Sequence, residues 1–208
     1  MEATSTPRFV RALRAIHEQK RGRTELEGAE AGFTLIELMV VLLIMAILLA
    51  IAIPTFLGVK AGAQDRAIQS DLTNALTSAK AAYANSGSYG TTPALETASL
   101  ASAEPNLIFD LNTVQPTKGT NALSVGTSAD GQQLVMVGYS ASNGCWAVED
   151  NEGTASGDAI TNTVTYTLLG VYYAAWLQSA GNCGVSTIPA AASLAGGAWT
   201  QAGFPPAA

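Results

Sequence analysis

The sequence predicts an α+β fold in which a long N-terminal helix, with a membrane half and an amphipathic half, packs on an antiparallel β-sheet. Three observations predict it. Residues 33–53 form an apolar run interrupted only by Thr34 and Glu37. Residues 61–83 then place apolar side chains at helical spacing. From residue 132 onward, short alternating runs are separated by turn signals. The chain has 208 residues, enough for one globular domain and an added element.

Charge is distributed unevenly. Arg8, Arg11, Arg14, Lys20, Arg21 and Arg23 all precede the apolar run, and after Gly32 only Lys60, Arg66, Lys80 and Lys118 remain. The net charge is −6. An acidic, lysine-poor body lacks the cationic footprint that phosphate backbones require, so no direct nucleic-acid binding is expected.

The apolar run spans about 21 residues, or about 32 Å as a helix, close to the roughly 30 Å hydrocarbon layer. The basic cluster on its N-terminal side places residues 1–32 in the cytoplasm and the body outside. Two other readings compete with this one. A buried helix of a soluble protein is disfavoured by uniform hydrophobicity over this length. A cleavable secretory signal has an A-x-A-like site at Ala50-Ile51-Ala52, but its core is shorter and has no use for Glu37.

After Pro54, the residues Ala61, Ile68, Leu72, Ala75, Leu76, Ala79 and Tyr83 mark one helical stripe, with Gln64, Asp65, Gln69, Asp71, Thr73 and Lys80 on the other faces. The stripe fades at Asn85-Ser86-Gly87-Ser88, a C-terminal stop. One helix over about residues 34–84, bent near Pro54, is expected because proline removes a backbone donor and clashes with the preceding turn. Two separate helices are the alternative, differing only at the joint.

Residues 88–131 contain Thr92-Pro93, Glu104-Pro105 and Gln115-Pro116, and are expected to form turns and surface loops. Residues 132–140 read as a strand, Asn143-Gly144 as a hairpin-type turn, and residues 145–150 as the returning strand with Trp146 and Val148 on one face. Residues 161–167 carry a further strand signal. Residues 168–177 are apolar enough for a strand or a buried helix, with a strand favoured in their first half. Cys145 and Cys183 are the only cysteines, and both lie in the part expected outside the cell. A disulfide is expected there; a pair of buried thiols is the alternative.

The stretch Gly32-Phe33-Thr34-Leu35-Ile36-Glu37, joined to a long apolar helix with a proline about one membrane thickness on, resembles the class III signal of type IV pilins and their pseudopilin relatives. The resemblance covers roughly residues 31–90. It implies the pilin "lollipop" architecture: a leader at 1–32, a membrane and filament-core helix half at 33–54, an amphipathic half at 55–86, and a β-rich body at 87–208 with a disulfide loop. It further implies that a prepilin peptidase cuts between Gly32 and Phe33 and methylates the new amino group of Phe33. Glu37 would then neutralise the Phe33 amino group of a neighbouring subunit. The implied partners are that peptidase, other copies of the chain, an inner-membrane assembly platform, and membrane lipid before assembly. The physics agrees, because an ionisable group at membrane depth calls for a partner.

No enzyme chemistry and no cofactor are expected. His17 is the only histidine and lies in the leader, which removes His-based catalysis and His-ligated metals from the processed chain. Glu149, Asp150, Glu152 and Asp158 read as an acidic loop, a solvated turn rather than a calcium site, because their spacing is not that of an EF-hand. Trp199 and Phe204 are expected to cover the edge of the core. Three functions compete: the major pilin of a surface filament for adhesion, motility or DNA uptake; a pseudopilin of a secretion or competence machine; and a membrane-tethered binding domain that does not polymerise.

Overall fold

The long helix forms where the apolar run and the amphipathic stripe predict it. A computed structural model describes residues 32–153, 160, 168–177, 183–190 and 193–206. Helix α1 runs Leu35–Ser86, with Pro54 inside it. It ends where Gly87 turns left-handed (φ 72°) and its amide donates to the Tyr83 carbonyl at 2.7 Å. Glycine adopts that conformation without a Cβ penalty. The chain divides into two compact units, Met1–Pro54 and Thr55–Ala208.

In the first unit the helix is apolar on all sides. Its large side chains from Leu35 to Ile53 are 48% to 78% exposed, so no described residue covers them. It is long and apolar enough to cross a membrane.

In the second unit the helix narrows to one buried stripe, Ile68, Leu72, Ala75, Leu76 and Ala79. These are five of the seven residues marked by the sequence pattern; Ala61 and Tyr83 are partly exposed. The stripe packs on Leu123, Val125, Leu134, Met136, Trp146 and Val148 of a five-stranded sheet. Leu72, Leu123 and Leu134 are fully buried, and each contributes about 2 kcal/mol of transfer free energy. Gly138 permits the approach: a Cβ there would lie 2.7 Å from Cγ2 of Ile68.

The strands are β1 Ile108–Leu111, β2 Ala122–Thr127, β3 Gln133–Tyr139, β4 Gly144–Asn151 and β5 Gly170–Leu177, in sequential order across the sheet. All neighbours are antiparallel except β1 and β2, which are parallel. The fold is therefore α+β, a long helix packed on a mostly antiparallel sheet, as expected, with one parallel pair at β1. The sheet is buried on both faces. Val135, Val137, Ala147, Ala174 and Trp176 point away from the helix and meet Val185, Ile188, Leu194 and Trp199. The disulfide Cys145–Cys183 fixes this second layer, with a Cα–Cα distance of 5.5 Å. Phe204 packs on the helix side, edge-on to Trp146 and Tyr173.

Several expectations need correction. Residues 88–131 are not all turns and loops: they hold helix α2, Pro93–Ala103, and strands β1 and β2. Thr92-Pro93 starts that helix, with Thr92 as N-cap and Pro93 in the first turn, where its missing N–H costs nothing. The last strand occupies Gly170–Leu177, the later part of the segment assigned to it. Asn143 turns left-handed (φ 85°) while Gly144 already belongs to β4. Glu149 and Asp150 are strand residues with no exposed surface, not an acidic loop. The strand expected at residues 161–167, the leader at 1–31 and Asp158 lie outside the described residues.

Candidate functional site

The predicted processing and assembly residues sit at the start of α1. Gly32, Phe33 and Thr34 precede the first helical residue, Leu35. Thr34 is therefore the N-cap and Glu37 the third helical residue. The amide of Glu37 donates to Oγ1 of Thr34 at 3.3 Å and to the Thr34 carbonyl at 3.1 Å. The Thr34 hydroxyl in turn donates to Oε2 of Glu37 at 3.5 Å. This is one arm of a capping box, and it holds the carboxylate over the first turn, where the helix dipole favours negative charge. This role of Thr34 goes beyond the sequence expectations. The signal was present as Thr-x-x-Glu ahead of an apolar run.

Phe33 is 82% exposed, and Leu35 and Ile36 beside it are 78% and 70% exposed. Glu37 is thus a lone carboxylate in an uncovered apolar surface. Among the described residues nothing crowds Gly32. A Cβ there would meet nothing within 4 Å, and its φ is not in the left-handed region.

The other predicted residues lie elsewhere. Pro54 is inside α1, and Cys145 and Cys183 form the disulfide of the body.

Residues 28–53 match the family model described as the prokaryotic N-terminal methylation motif. The chain carries the methylation motif characteristic of type IV pilins and pseudopilins. The match begins just before Gly32, contains Phe33, Thr34 and Glu37, and ends beside Pro54. The body is not part of it. No curated protein and no solved structure matches the chain.

Polar side chains also tie α1 to the sheet. Lys80 pairs with Asp150 at 2.9 Å and with Glu152 at 3.2 Å, and the Tyr89 hydroxyl also donates to Asp150. Burial, and then the bond to Asp150, push the Tyr89 hydroxyl well above its usual range. Asp65 accepts from the Trp146 indole at 3.2 Å and from the Ser142 hydroxyl, pinning the β3–β4 hairpin to the helix. Glu96 of α2 is buried, and its carboxyl is raised to about 7 by loss of solvent. No group of three His, Cys, Asp or Glu side chains is arranged to hold a metal among the described residues.

Proposed function

We propose that the chain is a prepilin, cut between Gly32 and Phe33, methylated at Phe33, and assembled through α1 as the major structural subunit of a type IV pilus. The methylation motif over residues 28–53 carries this reading. The uncrowded Gly32 and the uncovered apolar helix support it.

The mechanism follows from the chemistry. Before processing, the apolar half of α1 rests in lipid, with the basic leader on the cytoplasmic side. Cleavage creates an α-amino group at Phe33, one residue outside the Thr34 cap. Glu37 accepts that amino group from an adjacent copy, because a carboxylate in an apolar bundle needs a cation. Such a pair specifies register more than it adds stability. The exposed apolar side chains of neighbouring helices then cover one another, and the body forms the outer surface. Pro54 marks the joint between the bundled half and the half held by the sheet.

Filaments sheared from cells and resolved by mass test this. The reading expects this chain as the main component. Its absence from sheared filaments would overturn the major-pilin assignment. The same motif is shared by pseudopilins, so recovery only in an envelope-bound secretion complex would favour that second reading.

A further inference from the structure

In the half of α1 that packs on the sheet, one carboxylate without a hydrogen bond, Asp71, and two cations, Lys60 and Arg66, have no partner among the described residues. Lys80 and Lys118 have partners, Asp150 with Glu152 and Asn143 respectively. Lys60 and Arg66 are exposed and have none among the described residues. Asp71 is half-buried on the wall of a pocket of about 260 Å³, which Gln64, Ile68, Thr120 and Asn121 also line. Among the described residues no hydrogen-bond donor reaches it, and burial pushes its carboxyl above the usual range. A cation brought in by another copy would offset that desolvation.

The helix geometry selects the cation. Arg66 and Asp71 are separated by about 140° around the helix, too far to pair within one copy. They flank the stripe of Ile68, Leu72 and Ala75 that the sheet covers, one on each side. Lys60 falls on the same flank as Asp71, so a lateral neighbour in the same orientation presents Arg66 there and not Lys60. A guanidinium also suits the pocket chemically, since Gln64, Thr120 and Asn121 offer acceptor oxygens beside the carboxylate.

We propose that the Asp71 pocket takes the Arg66 guanidinium of a neighbouring copy. The contact is heterologous, because the cation leaves one flank and the acid receives on the other, and such contacts propagate into open helical assemblies. It rests on the reading that the chain polymerises through α1. It also agrees with that reading in register. Phe33 precedes Glu37 by four positions and Arg66 precedes Asp71 by five, so each pair separately requires a neighbour shifted by about 6 to 7.5 Å in the same direction.

Charge exchange in the full-length chain tests it. Arg66→Glu and Asp71→Arg should each lower filament yield about tenfold or more, and the double exchange should restore most of it. A double variant no better than the singles would overturn the pairing, as would singles with normal yield. An Arg66→Lys variant gives a second measurement that does not depend on yield. Zero-length carbodiimide coupling of its filaments should link positions 66 and 71 into an intermolecular ladder, and filaments without that linkage would also overturn the pairing. Wild-type cells that make no filaments would overturn the polymer reading itself, whereas filaments that pass that test and fail these remove only the Arg66–Asp71 contact.

Discussion

Lys80 of α1 reaches Asp150 of β4 at 2.9 Å, and Asp150 has no exposed side-chain surface. The pair ties helix to sheet at the end opposite the Asp65–Trp146 bond. Asp150 also accepts from Tyr89, so its charge is compensated on two sides. Removing Lys80 leaves a buried carboxylate with a neutral donor only. Lys80→Ala should therefore destabilise the chain by about 2 to 3 kcal/mol, at the low end for a buried pair because the lysine is 40% exposed. Urea unfolding followed by tryptophan fluorescence measures this. A loss within experimental error would show that the pair is worth no more than a surface one.

The disulfide should matter more than any single contact of the second layer. It closes a loop of 38 residues, worth about 4 kcal/mol in the chain-entropy model. Replacing both cysteines by alanine should cost that amount and loosen Val185, Ile188 and Leu194 from the sheet. The expected signature is faster hydrogen exchange in β3 and β4 amides.

Glu96 should make stability depend on pH. Its carboxyl is raised from the usual 4.5 to about 7 by burial, and its Oε1 has no hydrogen-bond partner. The folded state thus holds a proton that the unfolded state releases. Stability from this group is complete below about pH 4.5, falls as pH rises toward 7, and then levels, with a total change of about 3 kcal/mol. Glu96→Gln should flatten that slope; an unchanged slope would assign it to another group.

Glu37→Ala separates processing from assembly. The Thr34 cap to the position-37 amide uses backbone on the Glu37 side, so the first turn should survive the change. Cleavage should proceed while filament yield falls by about tenfold or more, because the neighbour's amino group loses its carboxylate. Normal filaments would remove Glu37 from its assembly role.

Much of this was legible in the sequence because helical periodicity survives wherever one face alone is buried. Ile68, Leu72, Ala75, Leu76 and Ala79 stand out for that reason. The sheet was harder to read because it is buried on both faces. In β3, Leu134 and Met136 meet the helix while Val135 and Val137 meet the C-terminal layer, so no polar alternation reveals a face. Thr92-Pro93 was misread because the same dipeptide serves a turn and a helix start, and only the burial of Glu96 and Leu100 decides between them. The role of Asp150 was hidden because Lys80, its partner, lies 70 positions away. At the N-terminus Gly32, Phe33 and Glu37 were legible as a motif, while the cap by Thr34 was a local signal passed over.

The central claim is that the chain is cut between Gly32 and Phe33. Intact-mass and terminal sequencing of the chain recovered from the envelope or from filaments tests it directly. The account predicts a terminus at Phe33 carrying one added methyl group. A chain that retains residues 1–32, or one that starts at Ile53 after cleavage behind Ala50-Ile51-Ala52, would contradict it.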